Sequence, residues 1–365
     1  MPGAMSIPEI VDTPAEAGAL DLPPLIVREP LARYMDSCGL GSGEVELERI
    51  GEGHSNVTYL VRRGSERFVL RRPPRPPLPP SAHDVLREAR LLRALEPTAA
   101  RTPRVLAACE DESVLGGVPF YVMEEVSGEV ITSEMPSALD TDQDRARIGE
   151  ELVDALVEVH GVDWRAAGLE SFGKPSGYLE RQLRRFNGLW EHNKTRELEA
   201  VARVGDWLAA NLPESPAATI VHGDYRLGNT MVAADPPGRV IAIFDWELAT
   251  IGDPLADLGY MTVTWVARDD PEDTMFSSLS AVTRGQGFPT REEMISRYEE
   301  RSGRPMGALN WYQALALWKA AVFMEGNYKR FLAGSTDDSF LAIFDEGVPA
   351  LAEKAWEIAQ APGET

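Results

Sequence analysis

Residues 221–232 read VHGDYRLGNTMV, and this stretch decides how the fold is interpreted. Apolar residues followed by Gly and Asp predict a short strand that runs into a tight turn. Asp224 stands in that turn, and Asn229 follows five residues later. The carboxylate of Asp224 is therefore either an ordinary turn residue or a base that accepts a proton from a substrate.

A second acid, Asp245, ends the next predicted strand, in the apolar stretch GRVIAIFDWE at 238–247. Mg²⁺ is held by a few oxygen ligands together with water and phosphates. The amide of Asn229 and the carboxylate of Asp245 are candidate ligands of this kind. Each also has a structural explanation when taken singly, Asn229 as a left-handed cap and Asp245 as a turn acid.

Composition limits the classes of partner. The chain has 365 residues and a net charge of −22, from 36 Lys and Arg against 58 Asp and Glu. This length favours two lobes, and the charge disfavours nucleic acids and anionic membranes as partners. Cys38 and Cys109 form neither a disulfide framework nor a zinc motif, which predicts a cytoplasmic location. Residues 309–324 are apolar but contain Gln313 and Lys319, so we expect a buried helix there.

The pattern of apolar and polar residues changes along the chain. Residues 1–27 have no signal-peptide pattern and predict a disordered tail. Residues 28–125 alternate apolar and polar residues around one strong helical segment, which predicts a small antiparallel sheet. Residues 126–361 are mainly helical and include two short strands separated by a connection at 227–237. The predicted fold class is α+β, with a small N-lobe and a larger helical C-lobe.

Residues 50–61, IGEGHSNVTYLV, predict a glycine-rich turn between two strands. Such a turn lets backbone N–H groups approach a phosphate closely. Gly53, Ser55 and Asn56 are the candidates for these contacts. The alternative is an ordinary hairpin turn.

Arg71 lies on the following strand and Glu88 on the helix after it. A strand cation that faces back under the glycine-rich turn would hold phosphates, whereas an exposed edge arginine would not. Glu88 stands near the boundary of the apolar face of its helix. It is either a solvated residue or the partner of Arg71.

The ordered set of motifs resembles the aminoglycoside phosphotransferase and choline kinase family, which has a protein-kinase-like fold. HGDYRLGN at 222–229 resembles the catalytic loop of that family. IFDWELATIGDPLADLG at 243–259 resembles its metal-binding segment and the acidic helix that follows. The resemblance extends over residues 28–345. It implies a bilobal α+β fold with a small antiparallel-sheet N-lobe and a larger, mainly helical C-lobe.

The resemblance also implies roles. Asp224 is expected to be the catalytic base, and Asn229 and Asp245 to hold Mg²⁺. Arg71 stands where a phosphate-binding lysine is expected, with Glu88 as its partner. Arg keeps its charge and can bind phosphates through two hydrogen bonds, so we expect activity and ATP as the phosphate donor.

We also expect roles for several other residues. Backbone groups near Glu124 and Val126 are expected to contact adenine, although a plain strand end is the alternative. Asp257 is expected to brace the catalytic loop, and His222 to orient backbone around Asp224. His160 is expected to be a hydrogen-bonded core residue.

The function predicted from these residues is an ATP- and Mg²⁺-dependent kinase that acts on a hydroxyl group of a small molecule. A non-catalytic nucleotide-binding module is one alternative, which the presence of Asp224, Asn229 and Asp245 disfavours. A protein kinase is another, but the chain has no D-F-G or A-P-E motif. A metal-dependent hydrolase would lack histidine ligands.

The acceptor is predicted from residues 70–96, which resemble the family branch that is fused to acyl-CoA dehydrogenases in some animal proteins. That branch suggests a hydroxyacyl-CoA or hydroxy acid. We expect the acceptor pocket around 178–195 and 310–330. A cationic acceptor such as an aminoglycoside or another amino alcohol is the alternative. One predicted basic patch would receive the phosphates of CoA or flank those of ATP, and it comprises Arg71, Arg72, Arg75, Arg87, Arg90 and Arg93.

Overall fold

The computed structural model describes residues 8–51, 56–76, 83–270, 280–334 and 339–361. The chain forms two compact units. The first comprises Met1–Pro97 and Thr102–Val126, and the second comprises Thr98–Arg101 and Ser127–Thr365.

The first unit is built on a five-stranded antiparallel sheet. The elements of the unit are β1 (Ile10–Val11), α1 (Pro14–Gly18), β2 (Ile26–Val27), α2 (Arg28–Ser37), β3 (Glu46–Ile50), β4 (Val57–Arg63), β5 (Glu66–Arg72), α3 (Val85–Leu95), β6 (Val105–Cys109) and β7 (Phe120–Glu124). The strand order of the sheet is β3-β4-β5-β7-β6. Apolar residues alternate along β4 and β5, and those on one face of the sheet pack against Leu31 and Met35 of α2.

The segment 8–27 is ordered, which corrects the predicted disordered tail over the described part of it. Thr13 and Glu16 form a capping box at the start of α1, and β1 pairs in parallel with β2. Leu25 and Ile26 are buried in the core of the first unit. The segment is ordered because it contributes apolar residues to the core. The prediction of disorder was based on the content of Pro, Ala and acids, which does not reveal such packing.

Two arginines of the predicted basic patch bond to this segment. The guanidinium of Arg72 is fully buried and donates to the backbone carbonyls of Leu25 and Pro73, the latter at 2.8 Å. Arg75 donates from Nε to the carbonyl of Pro23 at 2.9 Å. Both side chains are therefore used inside the first unit.

The prediction that six arginines form one basic surface patch is therefore wrong. Of its six arginines, only Arg90 and Arg93 are exposed. Burial lowers the pKa of Arg87, which is half-buried on α3. A run of arginines in the sequence does not reveal which guanidinium groups bind backbone carbonyls instead of ligands.

The second unit is mainly helical. Its elements are α4 (Asp142–His160), α5 (Tyr178–Asn193), α6 (Glu199–Ala210), β8 (Thr219–Val221), β9 (Thr230–Val232), β10 (Val240–Ile243), β11 (Thr250–Gly252), α7 (Leu255–Thr264), α8 (Arg291–Ser302), α9 (Leu309–Leu332) and α10 (Phe344–Gln360). The predicted buried helix is α9, which packs against α5, α6, α7 and α10. Trp311 and Trp318 on α9 are buried, and their indole N–H groups donate to carbonyls of α6 at 3.0 Å.

Two short antiparallel strand pairs of the second unit flank the loop at 222–229: β8 with β11, and β9 with β10. The segment 227–237, predicted as a connection, contains β9. Three residues are too few for an alternating pattern to show, so the sequence did not predict this strand. Among the described helices, none combines the length and apolarity needed to cross a membrane.

Candidate active site

The predicted catalytic loop leaves β8 through a turn that only glycine fits well. Gly223 has φ +90°, and a Cβ built on it would lie 2.9 Å from Leu248 Cβ and 3.0 Å from the Leu248 carbonyl oxygen. An L side chain would therefore be both strained and crowded at this position. The turn brings Asp224 out of the strand into partial exposure, with 23% of its side-chain surface accessible.

Asp224 is held by Asn229. The Nδ2 group of Asn229 donates to the main-chain carbonyl of Asp224 and to its Oδ2, both at 2.8 Å. Oδ1 lies 3.8 Å from Nε of Arg226. The carboxylate thus has a fixed orientation, with one oxygen engaged by the amide.

The backbone around Asp224 is fixed by two buried side chains. His222 donates from Nε2 to the carbonyl of Phe244 at 2.8 Å, and its Nδ1 accepts the N–H of Asp224 at 3.2 Å. Asp257 accepts the N–H groups of His222 at 2.6 Å and Gly223 at 2.8 Å. His222 and Asp257 therefore have the orienting roles that were predicted for them.

A buried hydrogen-bond chain continues from Asp257. His160 contacts Asp257 Oδ2 from Nε2 at 3.2 Å and the Tyr298 hydroxyl from Nδ1 at 2.6 Å. Burial lowers the pKa of His160, so the imidazole is neutral. Burial alone would raise the pKa of Asp257, but the hydrogen bonds it accepts hold that pKa below its usual range. His160 is the hydrogen-bonded core residue that was predicted.

Asp245 follows β10 with a left-handed backbone, φ +65° and ψ +55°. The N–H of Phe244 donates to the carbonyl of Asn229 at 2.9 Å, which aligns the chain segments that carry Asn229 and Asp245. The described ranges contain no group of three His, Cys, Asp or Glu residues suited to a metal ion. The donor set present, one carboxylate and one amide oxygen, fits Mg²⁺ that completes its shell with phosphates and water.

In the first unit, Arg71 and Glu88 form the ion pair considered from the sequence. Nε of Arg71 lies 3.0 Å from Oε2 of Glu88, and the two side chains are 14% and 3% exposed. The pair joins the central strand β5 to α3. A nearly buried carboxylate thus holds the arginine side chain in one orientation.

The remaining candidates for nucleotide contacts are only partly described. Gly53 and Ser55 lie outside the described residues, and Asn56 is buried just before β4. The N–H of Glu124 donates to the carbonyl of Arg104 at 2.9 Å, so this N–H is already used. Val126 is the last residue of the first unit.

A cavity of about 340 Å³ opens beside Asp224 within the second unit, and we call it the acceptor cavity. Tyr178 of α5 and Lys319 and Phe323 of α9 line it, so both segments expected to form the pocket contribute. Tyr260 of α7 lines it as well. Burial, and then the charge of Asp224, raises the pKa of Tyr260 well above its usual value, so the phenol stays protonated.

Lys319 is the functional candidate that sequence analysis missed. Its Nζ lies 4.9 Å from the centroid of the Phe186 ring, and burial lowers its pKa to about 8. Among the residues that the structure describes, no carboxylate lies within 4 Å of it. The available signal was a lysine in the middle of an otherwise apolar helix. A pKa of about 8 leaves most of these side chains charged at pH 7.

Comparisons with known proteins agree with this geometry. Residues 46–282 match the model of the phosphotransferase enzyme family, APH. The chain is 33% identical over 342 residues to mouse acyl-CoA dehydrogenase family member 10, covering 93% of this chain and 32% of that protein. The chain thus spans about a third of the length of this curated relative.

Solved structures extend the comparison. A Ralstonia eutropha protein assigned to the aminoglycoside phosphotransferases superimposes with a TM-score of 0.77 and 30% identity, covering 92% of this chain and 99% of that chain. A thermostable mutant of aminoglycoside phosphotransferase APH(4)-Ia, in ternary complex with AMP-PNP and hygromycin B, gives a TM-score of 0.57 and 16% identity, with coverage of 92% and 100%. The predicted protein-kinase-like α+β fold is confirmed. The chain belongs to the phosphotransferase enzyme family, whose members are kinases that phosphorylate hydroxyl groups of small molecules.

Proposed function

We propose that this chain transfers the terminal phosphoryl group of ATP to a small-molecule hydroxyl group, with Asp224 as the base. The observation that carries the proposal is the placement of Asp224. Asp224 lines the acceptor cavity, Asn229 orients its carboxylate, and Asp257 accepts the N–H groups of the two residues before it. In this proposal residues 28–125 form the nucleotide-binding lobe, and residues 126–361 form the lobe with the catalytic and metal-binding loops.

The proposed step is a direct displacement. The acceptor hydroxyl binds beside Asp224 in the cavity. Its oxygen forms a bond to the terminal phosphorus of ATP while the bond from that phosphorus to the ADP oxygen breaks, and Asp224 takes the hydroxyl proton. ADP and the phosphorylated acceptor then leave. Asn229 and Asp245 would hold Mg²⁺, which supplies positive charge to phosphate oxygens when bound.

On the nucleotide side, we propose that Arg71 binds phosphate oxygens and that Glu88 keeps its guanidinium in position. Gly53, Ser55 and Asn56 would add contacts to the phosphates. Glu124 and Val126 would contact adenine through backbone groups. The ion pair of Arg71 with Glu88 supports the first of these assignments, because a buried carboxylate holds the guanidinium in one orientation.

A double-mutant cycle tests the Arg71–Glu88 pair. With Arg71→Met, Glu88→Gln and the double variant, we expect an interaction of about 0.5–3 kcal/mol in ATP affinity, since Glu88 is proposed to act on ATP through Arg71. Calorimetric titration with ATP measures it. The matched control is Arg63, a buried arginine of β4 that pairs with Asp36. Arg63→Met should lower the free energy of unfolding and leave ATP affinity unchanged, and additive effects at 71 and 88 would remove Glu88 from the nucleotide site.

For the acceptor, we propose a hydroxyacyl-CoA or a related hydroxy acid in preference to an aminoglycoside. Lys319 supports this, because a polycationic acceptor would meet a positive charge inside the cavity, whereas a carboxylate or a thioester carbonyl would be attracted. The mouse relative is named as an acyl-CoA dehydrogenase, which favours the same class. Hygromycin B, bound to the neighbour structure, and the acid Glu247 in the cavity lining keep an aminoglycoside as the second candidate.

Steady-state ADP release over a panel of acceptors tests this choice. We expect turnover with acyl-CoA esters that bear a hydroxyl at one of the first carbons of the chain, and little with kanamycin or choline. Lys319→Met should raise the KM for the reactive ester by about tenfold, the effect of one lost charge-assisted hydrogen bond. Lys319→Arg keeps the charge and should retain most of the affinity. Fast phosphorylation of kanamycin alone would reject this acceptor class while leaving the kinase assignment intact.

A further inference from the structure

A second cavity of about 440 Å³ adjoins the acceptor cavity in the second unit, and we call it the α9 groove. His192 at the end of α5 and Lys329 and Arg330 of α9 line it. None of its eight lining residues is acidic. This is unusual in a chain with 58 acidic and 36 basic residues, and it marks the groove as a site for an anion.

The two cavities share lining residues on one face of α9. Phe323 and Asn327 line both of them. Lys319, Phe323, Asn327 and Arg330 follow one another at helical spacings of four, four and three residues, so they lie on one side of the helix. Eleven residues at about 1.5 Å each place Arg330 about 16 Å from Lys319 along the helix axis.

The basic side chains of the groove are held in position by hydrogen bonds to neutral oxygens. Nζ of Lys329 donates to the carbonyl of His192, and Arg330 donates to Oδ1 of Asn327 at 2.7 Å. Both partners are neutral oxygens. Within the described ranges neither cation forms an ion pair.

The nearest acids on the same two helices are engaged elsewhere. Glu325 of α9 is buried and accepts hydrogen bonds from the backbone and hydroxyl of Thr195. Glu191 of α5 pairs with Lys194 at 2.9 Å. A Cβ on Gly326 would lie 2.6 Å from Nδ2 of Asn193, so glycine permits the close approach of α5 and α9 that forms the groove.

We infer that the α9 groove binds the phosphate groups carried at the far end of the acceptor. The inference rests on the proposed function, since it places the reactive hydroxyl at Asp224 and the acyl chain along Phe323. The phosphates would then reach Lys329 and Arg330. A thioester of CoA has this arrangement, with a reactive acyl group on a long arm that ends in phosphates. A free hydroxy acid fills only the acceptor cavity.

The test compares one hydroxyacyl group as its CoA thioester and as its pantetheine thioester, which has no phosphate. With saturating ATP, we expect the wild-type KM for the CoA ester to be about tenfold or more below that for the pantetheine ester. Lys329→Ala with Arg330→Ala should raise the KM for the CoA ester by a similar factor and leave the pantetheine ester unchanged. Arg184→Ala removes an exposed arginine of α5 outside the groove lining and should change neither value.

Equal KM values for the two esters in the wild-type protein would overturn the inference, as would a double variant that weakens both esters equally. Binding of free CoA by calorimetry separates this result from the proposed function. If CoA binds the wild-type protein and not the double variant, the groove is supported whichever alcohol is phosphorylated. If CoA does not bind the wild-type protein, the inference fails even where turnover of another acceptor upholds the kinase.

Discussion

Replacing Asp224 by Asn should lower turnover by roughly 10²–10⁴-fold while the protein remains folded. Asn keeps the shape of the side chain, and its carbonyl oxygen can accept the hydrogen bond that Asn229 now donates to Oδ2. The amide cannot take the proton of the acceptor hydroxyl. Single-turnover measurement of phosphoryl transfer, with ATP affinity measured in parallel, isolates the loss in the chemical step.

A matched control distinguishes the effect of removing one negative charge from the effect of removing the catalytic base. Asp206 lies exposed on α6, and Asp206→Asn makes the same change in charge away from the cavity. Its turnover should equal that of the wild-type protein. Turnover of the Asp224 variant within two- or threefold of wild type would exclude Asp224 as the base.

The geometry of the loop at 222–229 was predictable because its contacts are local. His222, Asp224 and Asn229 lie within eight residues, so a single turn brings their side chains together, and the interaction of Asn229 with Asp224 follows from that turn. The pairing of Arg71 with Glu88 could also be proposed from the sequence, since a strand and the next helix commonly pack on each other. Periodicity alone left the two alternatives for Glu88 open, and the ion pair decides between them.

Long-range packing was not predictable. Lys319 reaches the acceptor cavity only because α9 packs against α5 and α7, and its neighbour Phe186 is more than a hundred residues away in the chain. The contact of His160 with Asp257 is of the same kind. The prediction for Arg72 and Arg75 was wrong for a related reason. Because these arginines are close in sequence, they were predicted to share one basic surface. Their hydrogen bonds depend on the segment 8–27, whose packing against the core of the first unit no local sequence pattern records.

Replacing Asp245 by Asn should abolish most of the Mg²⁺ dependence of ATP binding. The substitution removes the negative charge of a proposed metal ligand and keeps a residue type that tolerates the left-handed backbone at φ +65°. Asp245→Ala would add strain at the same position and confuse the result. We expect the Mg²⁺ concentration for half-maximal turnover to rise by about 10–100-fold or more, because even residues that support a metal ligand have effects of that size.

Calorimetric titration of ATP with and without Mg²⁺ distinguishes this role from that of Asp224. In the wild-type protein and in Asp224→Asn, Mg²⁺ should strengthen ATP binding, since the base acts on the acceptor and not on the nucleotide. In Asp245→Asn, ATP affinity should be nearly the same with and without the ion. A Mg²⁺ effect of wild-type size in Asp245→Asn would exclude Asp245 as a ligand. The paired result, in which one variant loses only turnover and the other loses the metal effect as well, assigns the two carboxylates to different parts of the reaction.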